Sequence, residues 1–265
     1  MDWAKKRSQF QNNIFGRLFL RLCSLVYGAA VLTRRMLYDH GYLKSKSLDA
    51  KVICIGNLTA GGTGKTPAVL LAAQALRQKK HNVAILSRGY GRPSGGAEAL
   101  VLLEDKSIPW TQCGDEPWMM RGALQGLGIP ILVAADRAKA GLTAVSFYHS
   151  DVLILDDGFQ HRKLKRDLDI LMVNCRAPFE DGHMLPLGDY REPLSSLSRA
   201  HMVVLTHVDK VDEARVQSIR DAIQEINPKI SIVESVHRSD FLFELKTEER
   251  HPLDLLSQRD VGAFS

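Results

Sequence analysis

Short apolar runs recur along most of this chain, with polar or helix-compatible stretches between them. Val52-Ile53-Cys54-Ile55, Asn82 to Ser87 (NVAILS), Pro130 to Ala134 (PILVA), Asp151 to Leu155 (DVLIL), Leu168 to Val173 (LDILMV) and His201 to Thr206 (HMVVLT) each read as a strand. Runs that stay apolar instead of alternating belong to strands buried on both faces. Leu70 to Leu76, Pro117 to Leu127 and Ala138 to Tyr148 carry helical patterns between them. The order predicts an α/β fold: a mostly parallel sheet, helices on both faces, right-handed connections.

The first stretch is patterned differently. From Ile14 to Arg35 the sequence is IFGRLFLRLCSLVYGAAVLTRR. At 100° per residue, Arg17, Arg21, Ser24, Gly28 and Arg35 fall on one narrow stripe and the other faces are apolar. This predicts an amphipathic helix that lies on an anionic membrane surface. A plain core helix and a true span are the other two readings. Against a span, Arg17 and Arg21 leave an apolar run of only about twelve residues, where spanning takes roughly 20.

With 265 residues the chain can hold one large core or two modest ones. The pattern divides it into 1–45, a membrane-associating helical segment, 46–200, a P-loop core, and 201–265, the start of a smaller C-terminal α/β domain. Residues 1–45 contain eight Lys or Arg against two Asp, a net +6, whereas the whole chain sums to +5. The excess positive charge thus sits at the N-terminus, which argues against a nucleic-acid-binding surface. Cys23, Cys54, Cys113 and Cys175 are scattered without C-x-x-C spacing, so neither a zinc site nor a disulfide framework is indicated and a reducing compartment fits. Oligomeric state is left open.

The chemistry centres on the stretch after the first strand. Gly56 to Thr66 reads GNLTAGGTGKT, a glycine-rich turn between a buried strand and a helix start. Such a turn gathers backbone N–H groups and the positive end of a helix dipole, here beside Lys65 and the Thr66 hydroxyl. Thr59, Ala60, Gly61, Gly62, Thr63, Gly64, Lys65 and Thr66 therefore form a candidate cradle for a nucleoside triphosphate. The usual pattern G-x-x-x-x-G-K-[ST] has Thr59 in place of its first glycine. The GGTGKT spacing also suits the deviant loop of membrane-partition and metal-insertion ATPases, but these place a lysine where this chain has Ala60.

Ligands of open α/β sheets bind outside the C-terminal strand ends, and polar residues crowd there: Arg88, Asp136-Arg137, Asp156-Asp157, Asn174, His207 and Asp209. Asp156 and Asp157 close the strand VLIL in the Walker B position, suited to holding Mg²⁺ together with Thr66. Gln160 and His161 come next as candidate substrate contacts. Gly114-Asp115-Glu116-Pro117 has two readings: Asp115 as a helix N-cap, or as the carboxylate that accepts a hydroxyl proton during transfer. Arg191-Glu192-Pro193 is an exposed turn or a phosphate-binding arginine folded back over the site. Thr206-His207-Val208-Asp209 has the outline of the base-reading loop of GTPases without its lysine, and is read as a strand end.

Taken in order, Gly61-Gly62-Thr63-Gly64-Lys65-Thr66-Pro67, Arg88-Gly89-Tyr90-Gly91, Gly114-Asp115-Glu116-Pro117, Asp136-Arg137, Asp156-Asp157-Gly158-Phe159-Gln160-His161, Leu185-Pro186-Leu187-Gly188 and Arg191-Glu192-Pro193 resemble the tetraacyldisaccharide 4'-kinase family of lipid A biosynthesis. The resemblance covers roughly residues 15–265. It implies ATP- and Mg²⁺-dependent phosphorylation of the 4'-hydroxyl of an acylated glucosamine disaccharide 1-phosphate, at the cytoplasmic face of the inner membrane. It also implies Asp115 as general base, Lys65 and Asp157 in catalysis, Asp156 and Asp157 at the metal, and Arg88, Arg137, Gln160, His161, Arg191 and Glu192 as substrate contacts. Leu187 and Asp189-Tyr190 depart from the family's usual residues. Family chains also continue beyond the position of Ser265 with a DHH segment, which the resemblance implies is missing from these residues. A membrane-recruited ATPase switch and a metal-insertion GTPase chaperone are the rival functions.

Overall fold

The computed structural model describes residues 7, 10, 13–89, 99–103, 108–179, 182–238, 242–243 and 250–257. Asp2, Lys5 and Lys6 of the basic N-terminus, Tyr90 and Gly91, and residues 261–265 lie outside these. Eight strands form one sheet in the order β3-β4-β2-β5-β1-β6-β7-β8. They are β1 (Lys51–Gly56), β2 (Val83–Ser87), β3 (Leu100–Leu102), β4 (Ile131–Val133), β5 (Val152–Asp156), β6 (Leu168–Asn174), β7 (Met202–Thr206) and β8 (Ser231–Glu234). Every pairing is parallel except that of the edge strand β3 with β4. The sheet thus runs on past position 200 through β7 and β8. Short strands β9 (Leu242–Phe243) and β10 (Arg250–His251) pair antiparallel on their own.

The apolar runs are explained by two cores, one on each side of the sheet. Along β5, Leu153 and Leu155 enter one core and Ile154 the other. The first core is closed by α5 (Arg137–Tyr148) through Ala138, Ala140 and Ala144, and by α6 (Glu213–Ile226) through Val216, Ile219 and Ile223. The second is closed by α2 (Lys65–Gln78) through Val69 and Ala73, and by α4 (Asp115–Ala123) through Met120. The short α3 (Trp110–Cys113) precedes α4. Burial of both faces fixes strand register, because a one-residue slip would exchange the two sets of side chains. That register brings Gly56, Ser87, Asp156, Asn174 and Thr206 to the same edge.

Helix α1 (Ile14–Asp39) lies against this body on a face that carries Gly16, Leu20, Ser24, Tyr27 and Arg35, so only part of the expected stripe is turned inward. Gly16, Leu20 and Ser24 are buried, and Ser24 Oγ donates to Met184 O at 2.8 Å. Tyr27 OH donates to Arg191 O at 3.1 Å, and Arg35 Nη1 to Ser195 Oγ at 3.0 Å. At the helix end Arg162 pairs with Asp39 at 2.7 Å. Arg17 and Arg21, the other arginines of the expected stripe, stay exposed beside this face. The opposite face shows Phe15, Leu18, Leu22, Leu25, Val26 and Met36 to the outside, Phe15 at 80% and Leu25 at 71% exposure. By length and composition this helix could cross a bilayer, although Arg17 and Arg21 interrupt its apolar run.

Candidate active site

The cradle is assembled by neighbours that hold its carbonyl groups. Gly56 ends β1 where no side chain fits: a Cβ there would come within 2.8 Å of Phe159 Cβ. Buried Asn57 is next, its Nδ2 donating to Thr63 Oγ1 at 3.0 Å while its carbonyl accepts from Gln160 Nε2 at 2.9 Å. Asn174 Nδ2 donates to Gly62 O at 3.2 Å, and Thr206 Oγ1 to Thr63 O at 3.2 Å. Gly64 caps α2 in a left-handed conformation (φ +80°) with no side-chain cap. With the carbonyls of Asn57, Gly62 and Thr63 held by neighbours, amides of the loop's glycine-rich end and the orphan N–H groups of the first helical turn are left for an anion.

A second segment straps the entrance of the loop. Thr59 bridges to Tyr190, Ala60 N donates to Asp189 O at 2.7 Å, and Arg191 N donates to Leu58 O at 2.7 Å. Arg7 in turn forms an ion pair with Asp189 and donates to Gly188 O at 3.1 Å. Arg191 is thereby folded back over the site, and its Nη1 reaches Asp157 Oδ2 at 2.7 Å. Lys65 Nζ stands 3.7 Å from the other oxygen, Oδ1, which is buried without a hydrogen-bond partner among the described residues. Asp157 is held at φ +47°, a conformation uncommon for a non-glycine residue and characteristic of functional turns.

Asp156, the last residue of β5, is 3% exposed and accepts a hydrogen bond from Ser87 Oγ on the adjacent strand at 3.1 Å. Burial, reinforced by the charges of Glu116 and Asp157, pushes its pKa up to about 6; Ser87 and Lys65 oppose the rise. Two carboxylates side by side, one strongly desolvated, form a place where added positive charge is favoured.

The expected contacts divide. Lys65, Asp156, Asp157 and Arg191 come together with Gly61 to Thr66, and Thr66 is half-buried in the first turn of α2. Asp115 is exposed and begins α4; the N-cap is Gly114, one residue earlier, and Asp115 Oδ1 accepts from Glu116 N at 2.9 Å. The capping alternative is thus shifted by one position, since Gly114 at φ +95° takes the non-helical place. Glu192 is turned to Arg199, at 2.8 Å, whose guanidinium covers the Phe159 ring at 4.3 Å. Gln160 ties the loop to Asn57. His161 is pushed down to about 4 by burial and by Arg137, so its ring is neutral at pH 7. Arg137 is buried at the start of α5 and donates to Ala135 O at 3.2 Å, while Arg88 is exposed after β2. Asp136 caps α5 and pairs with Lys163 at 3.0 Å.

Ser87, Glu116, Asn57 and Thr206 were not singled out by sequence as site residues. Ser87 and Thr206 were legible only as polar residues closing apolar strands, and Glu116 only as an acidic residue in a first helical turn.

With this geometry in place, comparison with known proteins is decisive. The family model for LpxK, tetraacyldisaccharide-1-P 4'-kinase, matches residues 16–265. The chain belongs to this family. It is 42% identical to the tetraacyldisaccharide 4'-kinase of Elusimicrobium minutum over all of its own length and 71% of that protein. It is 36% identical to the one from Halothermothrix orenii, over 92% of this chain and 66% of the relative. The crystal structure of LpxK from Aquifex aeolicus in complex with ATP superposes with a TM-score of 0.72 at 36% identity, covering 92% of this chain and 72% of that one. The chain therefore spans about two thirds of the length of the curated relatives it matches. Family, fold class and kinase character, all expected from the motifs, hold for this LpxK-family chain. Membership places it among kinases acting on a hydroxyl group, apart from ATPase switches and GTPase chaperones.

Proposed function

We propose that this chain transfers the γ-phosphoryl group of ATP to the 4'-hydroxyl of tetraacyldisaccharide 1-phosphate, a step of lipid A biosynthesis. The observation that carries the reading is Asp157 set between Lys65 and Arg191 at the mouth of a glycine-rich cradle, in a chain of this family. Lys65 and the loop amides hold the β- and γ-phosphates and offset charge on the transferring group. Asp115 accepts the proton of the attacking sugar hydroxyl, and the charge of Glu116 beside it helps to raise the pKa of Asp156. Arg191 keeps Asp157 in place and adds positive charge at the mouth. Most of the acceleration would come from positioning and charge neutralisation.

The residues present suit Mg²⁺. Asp157 Oδ1 is buried without a hydrogen-bond partner among the described residues, 3.7 Å from Lys65 Nζ, and Asp156 is a desolvated carboxylate whose pKa is raised further by the charges of Glu116 and Asp157. Thr66, Asp156 and Asp157 would hold the ion, which when bound neutralises charge on the phosphate oxygens.

The acceptor is acylated, and extraction from a bilayer costs about 0.8 kcal/mol per CH₂. The outward apolar face of α1, flanked by Arg17 and Arg21, supports peripheral attachment to the anionic cytoplasmic face of the inner membrane. Hydrogen bonds from Ser24, Tyr27 and Arg35 to the body favour a helix lying in the interface over one crossing it.

The test is phosphate transfer from γ-labelled ATP, with Mg²⁺ and detergent, to the acylated disaccharide 1-phosphate. Lys65→Ala should abolish transfer with the fold intact; an active variant sinks the assignment. Asp115→Asn should retain ATP binding and slow transfer, and an unchanged rate would return Asp115 to a structural role at the start of α4.

A further inference from the structure

Two histidines beside the cradle have no part in the reaction above. His207 comes directly after β7 in a left-handed conformation (φ +58°), its Nδ1 3.2 Å from Thr206 Oγ1. His237, on the chain leaving β8, stacks with it: ring centroids are 5.6 Å apart and the planes 27° apart. The His237 ring also closes on the phosphate loop, since a Cβ at Gly64 would lie 3.2 Å from its Cε1. His237 is exposed and His207 half-buried, so aromatic surface stands open next to the loop.

The two sides of the cradle differ. β1, which delivers the loop, is flanked by β5 on one side and by β6, β7 and β8 on the other. The β5 side carries Asp156 and Asp157, and Lys65 leans toward it. The other side holds loop carbonyls through Asn174 and Thr206, then presents the histidine pair. A nucleoside triphosphate whose terminal phosphate lies on the carboxylate side extends its ribose and base toward the histidines. A planar base gains most from a flat π surface, and such stacking needs no dedicated hydrogen-bond code.

We propose that His207 and His237 form a stacking platform for the purine ring of the nucleotide. The proposal rests on the reading of Gly61 to Thr66 as the phosphate cradle. Thr206-His207-Val208-Asp209 then works as a base-side loop after all, by ring stacking in place of a lysine.

Binding of ATP and of inorganic tripolyphosphate, each with Mg²⁺, separates the two readings by calorimetry on the full chain. His237→Ala should lose about tenfold or more in ATP affinity and leave tripolyphosphate affinity unchanged; His207→Ala should act in the same direction. His237→Phe, which keeps a flat ring, should stay within about twofold of the parent by the same stacking argument. Unchanged ATP affinity in both alanine variants overturns the platform. Equal loss for both ligands also overturns it, making His237 a prop for the loop. A parent chain that binds neither ligand removes the cradle itself and the platform with it.

Discussion

Replacing Arg199 by alanine should destabilise the protein far more than the net worth of its ion pair suggests. Its partner Glu192 is only 6% exposed, and one hydrogen bond of 2.8 Å joins them. Arg199 Nε and Nη1 are buried without hydrogen-bond partners among the described residues, and burial lowers the arginine's pKa against the opposing effect of Glu192. The intact pair therefore carries a large desolvation cost and contributes little on balance. Removing the arginine alone leaves a buried carboxylate without its cation, at about 3–5 kcal/mol, and strips the cation from the Phe159 face, worth about 1–2 kcal/mol when desolvated. Against a total stability of about 5–15 kcal/mol, that is a large fraction. Arg199→Met in a Glu192→Gln background removes both charges and should recover at least about 2 kcal/mol of the loss. Equilibrium urea unfolding of the parent, Arg199→Met, Glu192→Gln and their combination gives the coupling energy directly, with Arg199→Ala measured alongside. Phosphoryl transfer should show the same order, because Glu192 adjoins the arginine that holds Asp157. A single-variant cost below about 1 kcal/mol, or a cycle that is additive within about 0.5 kcal/mol, would refute the argument.

Three further outcomes are expected. His161 is neutral when folded, with its pKa near 4 against an ordinary 6.5. The unfolded chain therefore takes up that proton first, and stability is lost as pH falls from 6.5 toward 4. At pH 5 the loss is about 2 kcal/mol at full weight and about 1 kcal/mol after allowance for partial exposure; urea unfolding of His161→Phe should lack this increment. Gly56→Ala drives a Cβ to 2.8 Å from Phe159 Cβ and 2.9 Å from its backbone N, which should cost about 1–3 kcal/mol. Transfer should also slow, because Phe159 lies two residues beyond Asp157; an unshifted melting temperature counts against it. Tyr27→Phe removes the hydrogen bond to Arg191 O, worth about 0.5–1.5 kcal/mol. Transfer should slow severalfold at unchanged vesicle binding, and equal loss of both would mean that Tyr27 serves attachment alone.

Much of the sheet was legible because β1, β2, β5, β6 and β7 are apolar on both faces, and burial on both faces leaves a continuous apolar signature. The edge strands were not. β8 reads Ser-Ile-Val-Glu with most side chains exposed, and β3 has three residues, so neither carries a run long enough to stand out. In the site, Lys65, Asp156 and Asp157 were legible because spacing relative to a strand end fixes where they fall. Glu192 was expected at the substrate, but its partner Arg199 lies across the 3₁₀ turn Leu194–Arg199, and no periodicity encodes that pairing. The inward face of α1 had a similar cause: Ser24 and Tyr27 are held by backbone carbonyls of residues 184 and 191, and carbonyls leave no trace in side-chain patterns.

The strap from Met184 to Arg191 hydrogen-bonds to α1 on one side and to Leu58 and Ala60 on the other. Helix and phosphate loop are thus separated by a single thickness of chain. If α1 rests on the bilayer, the height and tilt of the cleft above the lipid are then properties of the fold, set before any substrate arrives. The enzyme would search in two dimensions with its cleft already level with the head groups. Lipid charge would govern how many molecules are on the surface, and the geometry of the strap how fast each one works.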